Sequence, residues 1–201
     1  MLYVIKIFDV ENSGPLRDIH RDAHLSYVEG FDDQTMFSGP FLTLDLQNEL
    51  GSARLIEFAD RAALQAHIDD EPYILGGVQN GYEVYGWSPD TPATWRDCPR
   101  TEGNVQFMIE GHFAPGLQTV PEGMGLGRDR YLLQHHDNII TSGWLLDDDQ
   151  APAGTLMIVD APALAAAERI WDAEPLRAAG LYPRTNFYGW RFGRVADRFK
   201  V

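Results

Sequence analysis

The chain has 201 residues, a formal net charge of −14 and a single cysteine, and 44% of its residues are hydrophobic. The acidic charge argues against nucleic acid as a partner, because a phosphate backbone requires a basic surface, and a lone cysteine excludes an internal disulfide and a thiolate metal cluster. No apolar run approaches the roughly 18 residues of a membrane span, and the N-terminus does not have the pattern of a secretory signal, so we expect a cytoplasmic protein with no membrane partner.

The first half of the chain predicts six elements in the order strand, helix, strand, strand, helix, strand. Residues 2–8 are rich in β-branched and aromatic side chains, which favour a strand, and apolar residues recur at helical spacing between Pro15 and Val28. Asp60 is a good N-cap, and Pro72 ends the second helix. The predicted elements are residues 2–8, 15–29, 35–38, 53–58, 61–70 and 82–87. This order is typical of the ferredoxin-like plan, in which both helices cover one face of an antiparallel sheet.

The second half of the chain repeats parts of the first. The Glu-Pro pair at residues 71–72 recurs at residues 174–175, and the Tyr-Gly-Trp sequence at residues 85–87 recurs at residues 188–190, in both cases 103 residues later. Repetition at a fixed offset indicates two copies of one unit. The elements predicted for the second copy are residues 105–109, 128–138, 139–145, 154–159, 162–172 and 186–190.

We therefore predict an α+β fold of two tandem ferredoxin-like βαββαβ units, residues 1–87 and 105–190, whose uncovered sheet faces pack together as an intramolecular dimeric α+β barrel, or pseudo-dimer. This packing predicts a pocket between the sheets and the helix ends. Residues 88–104 form a proline-rich linker, and because it contains Trp95 we expect it to dock on the body. The basic tail, residues 191–201, either packs on the acidic first unit or is solvated.

Three fragments of the first unit have a distinctive order and spacing: Arg-Asp-Ala-His-Leu at residues 21–25, Ser-Gly-Pro at residues 38–40 and Asp-Glu-Pro-Tyr at residues 70–73. Together they resemble the motifs of the YCII-related family of dimeric α+β-barrel proteins, and the resemblance covers residues 1–87. It implies a homodimeric scaffold with a site built from a helix histidine and the acid before the proline. Here His24 and Glu71 fall on those positions.

A histidine with a pKa near 6.5 beside a carboxylate is suited to general acid/base chemistry, because the carboxylate orients the ring and favours its protonated form. The family usually has aspartate before the proline, so both Asp70 and Glu71 are candidates for the partner of His24. The expected substrate contacts, taken from the same motifs, are Ser38, Pro40 and Tyr73. This chemistry requires no cofactor and no metal.

The resemblance implies a small-molecule enzyme, because relatives in this superfamily include muconolactone isomerase-like and chloromuconolactone dehalogenase-like proteins. We predict an isomerase or a lyase that acts on a small organic substrate. One alternative is a non-catalytic metabolite-binding or accessory protein on the same barrel, in which His24 is an ordinary partly buried histidine. Another is a haem-binding tandem barrel that uses His135 or His136, although no matching motif surrounds them. Self-association beyond the internal pseudo-dimer is left open.

The second unit predicts a site that has lost its histidine. Aligning residues 128–132 with residues 21–25 on their shared Arg-Asp pair puts Tyr131 in the place of His24. Trp144 follows Ser-Gly where the first unit has a proline, and we expect this tryptophan to fill the second pocket. Duplication followed by loss at one site predicts a single working centre.

Overall fold

The computed structural model describes residues 1–117, 120 and 124–193, and in these residues eight antiparallel strands close into a barrel. The strands are β1 (Leu2–Asp9), β2 (Thr35–Leu42), β3 (Glu49–Glu57), β4 (Gln79–Pro89), β5 (Val105–His112), β6 (Ile139–Leu146), β7 (Pro152–Ala161) and β8 (Arg184–Trp190). The helices are α1 (Gly14–Glu29), α2 (Arg61–Asp69), α3 (Pro72–Leu75), α4 (Met124–Gln134), α5 (Leu164–Asp172) and α6 (Pro175–Ala178). Around the barrel the strands follow the order β1-β3-β2-β8-β5-β7-β6-β4, and β4 pairs again with β1.

Two junctions between the halves of the chain close the barrel. β2 pairs with β8 through Phe41 and Trp190, and β4 pairs with β6 between residues 86–89 and 143–146. Closure pairs the outer strand edges that an open sheet would expose to solvent. The predicted α+β barrel is confirmed, and each half has its elements in the predicted order, with a one-turn helix added before its last strand.

The interior of the barrel is a packed apolar core. Its buried residues come from both halves and from the segment between them: Val4, Phe37, Phe41, Ala53, Leu55, Trp87, Trp95, Cys98, Met108, Ile140, Leu145, Leu156, Ile158 and Trp190. Trp95 is 3% exposed, so the linker docks on the body as expected. The predicted pocket between the sheets and the helix ends does not extend between the sheets, because large side chains such as Trp87 and Trp190 fill that space. The structure has a pocket against α1 and the adjoining strands instead.

A buried ion pair crosses this interior between the two halves. Lys6 on β1 and Glu110 on β5 are each 1% exposed, and Nζ of Lys6 donates to Oε2 of Glu110 at 2.8 Å. Side chains alternate along a strand, so the neighbours of Lys6, namely Ile5 and Ile7, face the helices instead.

The helices cover the outer face of the barrel. Helix α4 begins at Met124, four residues before the predicted start at Arg128, although Gly125 and Gly127 have low helix propensity. Packing overrides propensity there, since Gly127 lies against Pro175 of α6. Among the described residues, no helix is long and apolar enough to cross a membrane.

The chain beyond β8 crosses back to the first half. The backbone N–H groups of Arg191 and Gly193 donate to the carbonyl oxygens of Pro40 and Ser38, at 3.2 and 2.7 Å. The side chain of Arg191 also bonds to Glu49. The predicted packing of the tail on the acidic first unit therefore holds for its first three residues. The rest of that prediction, which concerns residues 194–201, lies outside the described residues.

Candidate active site

His24 and Glu71 come from two separate helices and meet in the first half. His24 lies on α1, and Glu71 is the N-cap residue of α3, whose first residue is Pro72. Because proline cannot continue α2, the chain turns at Glu71. Nδ1 of His24 lies 2.7 Å from Oε1 of Glu71, and the two side chains are 14% and 0% exposed. The pair is buried but remains accessible from the histidine side.

The electrostatic environment favours a neutral histidine beside an ionised glutamate. Burial lowers the pKa of His24 below 6.5 and outweighs the hydrogen bond to Glu71, which raises it. For Glu71, burial opposes the charge, but the hydrogen bond from His24 and the nearby Arg54 outweigh burial and lower the pKa of the carboxyl. Nδ1 of the neutral ring is then the donor to the carboxylate, and Nε2 is left as an unprotonated acceptor.

The ring of His24 is held in place by Tyr73, the residue after Pro72. The two rings stack with centroids 3.9 Å apart and planes 5° from parallel. Tyr73 is itself 2% exposed, and the guanidinium of Arg17 lies 5.0 Å from its centroid. This stacking restricts rotation of the imidazole, so Nδ1 stays directed at Glu71.

Arg54 on β3 lies behind the pair and was not singled out from the sequence. Its Nη1 lies 2.6 Å from Nε2 of His67, and its Nη2 lies 3.8 Å from Oε1 of Glu71. Burial, followed by the charge of Arg54, lowers the pKa of His67 to about 3. His67 is therefore neutral and accepts from Arg54. The signal in the sequence was an arginine in the otherwise apolar segment Ala53 to Ile56.

A pocket of about 360 Å³ opens beside this pair, between α1, the adjoining strands and the chain beyond β8. It is lined by Arg17, Arg21, His24, Leu25, Val28, Ser38, Gly39, Pro40, Glu49, Ser52, Arg54, Tyr73, Arg191, Phe192 and Gly193. Four of these residues are arginines, in a chain with a net charge of −14. The pocket thus combines a titratable histidine with arginine and apolar side chains.

The predicted site residues are distributed unevenly around this pocket. Ser38, Pro40 and Tyr73 all line it, together with His24. Asp70 is exposed at the end of α2, and in the described residues the carboxylate bonded to His24 belongs to Glu71. The proposed pairing with Asp70 is therefore wrong, because the turn before Pro72 directs only the second of the two acids inward.

The second half has an arginine in the position of His24. Nη1 of Arg128 donates to Oε1 of Glu174 at 2.6 Å, as Nδ1 of His24 meets Glu71 in the first half. Its Nη2 donates to Asp90 at 2.7 Å, and its guanidinium lies 5.0 Å from the Trp144 ring. Arg128 is therefore engaged by two carboxylates and lies near a tryptophan ring.

The prediction that Tyr131 replaces His24 is wrong. The hydroxyl of Tyr131 donates to the carbonyl of Ile170, as that of Tyr27 donates to the carbonyl of His67, so Tyr131 is the counterpart of Tyr27. The shared Arg-Asp pair misaligned the helices by one turn. A one-turn shift keeps a residue on the same helix face, so the sequence pattern could not reveal the error.

The adjacent histidines of the second half lie away from this pocket. His136 is exposed, with its ring bonded to the carbonyl of Leu133 and near Asp137, while the ring of His135 lies against Tyr131. Among the described residues, no group of three or more His, Cys, Asp or Glu side chains is arranged to hold a metal ion.

Comparison with known sequences finds a match for the first half of the chain. Residues 1–88 match the family model of the YCII-related domain. No curated protein matches the sequence significantly.

Several solved structures resemble the chain. The chlorite dismutase from Candidatus Nitrospira defluvii in complex with imidazole has 8% identity and a TM-score of 0.63, with 98% of this chain and 94% of that chain covered. An anthrone oxidase-like protein has 10% identity and a TM-score of 0.54, with 96% and 91% covered. The dehydrochlorinase TftG from Burkholderia phenoliruptrix AC1100, in complex with 2,5-dihydroxybenzoquinone, has 24% identity and a TM-score of 0.41, with 44% and 94% covered. At these identities the first two likenesses establish the fold alone.

Proposed function

We propose that this protein, whose residues 1–88 match the family model of the YCII-related domain, is a cofactor-independent enzyme that moves a proton on a small organic substrate, in an isomerisation or an elimination. His24 is the general base and acid, and Glu71 orients it. The observation that carries the proposal is the 2.7 Å contact between Nδ1 of His24 and Oε1 of Glu71 at the wall of an open pocket. The same pair enclosed in a filled core would have only a structural role.

The chemistry begins from the neutral ring. Nε2 of His24 takes a proton from a carbon of the substrate, and the carboxylate of Glu71 stabilises the resulting imidazolium through Nδ1. The electron pair left on the substrate shifts to an adjacent carbon or expels a leaving group. In an isomerisation the Nε2 proton returns at the new carbon; in an elimination it passes to the leaving group or to water. Either route restores the neutral histidine.

The residues around the pair support these steps. Tyr73 stacks on the ring and limits its rotation, which favours a fixed direction of proton transfer. Ser38 and Pro40 also line the pocket and are the proposed substrate contacts, with Tyr73. No described residue bonds to Nε2 of His24, which leaves that nitrogen available to a substrate.

We further propose that the two halves are copies of one ferredoxin-like unit, so that the chain is a fused pseudo-dimer with one working site. The matched hydrogen bonds of Tyr27 and Tyr131 support this, as does the common order of elements. Corresponding residues of the two halves are 104 positions apart before the β2–β3 loop and 103 positions apart after it. This difference agrees with a loop between β6 and β7 that is one residue shorter than the loop between β2 and β3.

The experiment is a search for proton exchange at carbon. The protein is incubated in D2O with a panel of small ketones, lactones and carboxylates that carry an acidic C–H, and loss of the proton signal is followed by NMR. We expect at least one compound to exchange faster with the wild type than with His24→Gln. Equal exchange with both proteins across the panel would contradict an enzyme, and saturable binding without exchange would favour the metabolite-binding alternative.

A further inference from the structure

Nη2 of Arg54 is a buried donor with no hydrogen-bond partner among the described residues. The side chain is 4% exposed and lines the pocket beside His24. Nη1 is engaged with His67, while Nη2 lies 3.8 Å from Glu71, beyond hydrogen-bond distance. A buried charged donor left unsatisfied is costly. Such a group at the wall of a pocket marks a position for an incoming acceptor.

The other arginines of the pocket already bond to carboxylates. The pairs are Arg17 with Asp9 and Glu49, Arg21 with Asp18, and Arg191 with Glu49. Arg54 is therefore the guanidinium of the described lining that has no carboxylate within hydrogen-bond distance. One unbonded guanidinium nitrogen, on an arginine whose nearest carboxylate is Glu71 at 3.8 Å, matches a single acceptor group, whereas a phosphate dianion would require several convergent donors.

In the second half a carboxylate of the chain lies beside Arg128, the residue in the position of His24. Nη2 of Arg128 donates to the carboxylate of Asp90 at 2.7 Å. The backbone N–H of Asp90 donates to Ser142 at 2.8 Å, as that of Gly193 donates to Ser38 at 2.7 Å in the first half. Gly193 is thus the counterpart of Asp90, and it has no side chain. The position that the Asp90 carboxylate takes in the second half therefore has no side chain in the first half, where Gly193 lines the pocket.

We propose that the pocket binds a small organic monocarboxylate, whose carboxylate accepts a hydrogen bond from Nη2 of Arg54. The apolar body of the molecule lies against the hydrophobic part of the lining: Leu25, Val28, Pro40 and Phe192. The volume of about 360 Å³ lies near the lower end for ligand pockets and favours a small molecule. The inference names the substrate class of the acid/base site and so rests on the proposed function.

The position of Arg54 also locates the reacting carbon. Its Nη2 and Nδ1 of His24 both lie close to the same oxygen of Glu71, at 3.8 and 2.7 Å. A carboxylate on Arg54 therefore brings the adjoining carbons of the substrate near the imidazole. The proton that His24 removes belongs to a carbon within a few bonds of the carboxylate.

The test compares benzoate with benzamide, which has nearly the same shape and no charge. Binding is followed by two-dimensional NMR of the wild type, and the His24 ring is titrated with and without each probe. We expect benzoate to bind at least tenfold more tightly than benzamide and to raise the pKa of His24, because an adjacent anion favours the protonated ring. Equal affinities, an unmoved titration or no saturable benzoate binding at about 10 mM would overturn the inference.

Two variants assign the binding to Arg54. Arg54→Met is expected to weaken the affinity for benzoate at least tenfold and to change the affinity for benzamide by no more than about twofold. The matched control is Arg61→Met, because Arg61 is an exposed arginine of α2 outside the pocket. This control is expected to leave both affinities unchanged. Arg54→Lys keeps a cation and is expected to retain part of the affinity. Unchanged benzoate affinity in Arg54→Met would contradict the assignment. If both Arg54 variants unfold, the titration of His24 in the wild type, with and without benzoate, is the test of the inference.

The outcome is separable from that of the proposed function. Benzoate binding at Arg54 without proton exchange would contradict the proposed enzymatic function and support the carboxylate-binding site. Proton exchange confined to uncharged ketones, with no preference for benzoate over benzamide in binding, would support the proposed enzymatic function and contradict the carboxylate-binding site.

Discussion

Arg128 donates from Nη1 to Oε1 of Glu174 at 2.6 Å, and this pair is the counterpart of His24 and Glu71 in the other half of the chain. Arginine does not lose its proton in proteins, so Arg128 cannot act as a base. Its Nη2 also donates to Asp90. The buried glutamate of the second half, Glu174, thus has a structural role, whereas Glu71 of the first half has a titratable partner. We therefore expect the chemistry only in the first half.

Replacing Glu71 with glutamine should lower the rate of proton exchange by about 100-fold or more. The amide can donate to Nδ1 of His24, which favours the tautomer with a proton on Nε2 and blocks the base. The measurement is the exchange rate in D2O with the best compound of the panel. The matched control is Asp70→Asn, which removes the exposed neighbouring acid and is expected to leave the rate unchanged. A larger loss in Asp70→Asn than in Glu71→Gln would reverse the assignment.

The rate should rise with pH and reach a plateau below neutrality. His24 acts as a base only when it is unprotonated, and burial lowers its pKa below 6.5. The midpoint of the acidic limb is therefore expected below pH 6.5. Glu71→Gln should move the midpoint lower still, because the lost hydrogen bond raised the pKa. A midpoint above pH 6.5 in the wild type would show that the protonated ring is the favoured state.

His67 should make the protein less stable as the pH falls. Its pKa is lowered from 6.5 to about 3 by burial and by Arg54, so between these values the unfolded chain binds the additional proton. The free energy of unfolding then decreases with falling pH by at most about 1.4 kcal/mol per pH unit for this group. Urea unfolding between pH 6.5 and pH 4.5 measures the slope. His67→Gln should reduce it, and an identical slope in the variant would exclude this cause.

Gly39 should not tolerate a side chain, because the tail crosses directly above it. A Cβ at this position would lie 1.8 Å from the carbonyl oxygen of Arg191. Gly39→Ala is expected to displace residues 191–193, remove a wall of the pocket and lower the free energy of unfolding by about 1–3 kcal/mol. The control is Gly125→Ala, where a Cβ meets nothing within 4 Å and alanine favours the helix. Comparable urea midpoints for Gly39→Ala and the wild type would argue against a tight crossing.

The order of the elements and the position of the histidine could be predicted from residues that act locally. Alternating and helical spacings predict β1 and α1, and Pro72 predicts the turn at Glu71, because these features depend on neighbours in the chain. The partner of His24 could not be chosen in the same way. Asp70 and Glu71 are adjacent, and the geometry of one turn decides which of them faces inward.

What the sequence determined by itself was therefore local: an α+β pattern in each half, a recurring Glu-Pro turn, and His24 in only one of the halves. The tertiary structure decided the closure of the barrel, the filling of its interior and the arrival of Arg54 and Gly193 at the pocket. These depend on contacts between residues far apart in the chain. Strand pairing and burial set such contacts, and no local spacing records them.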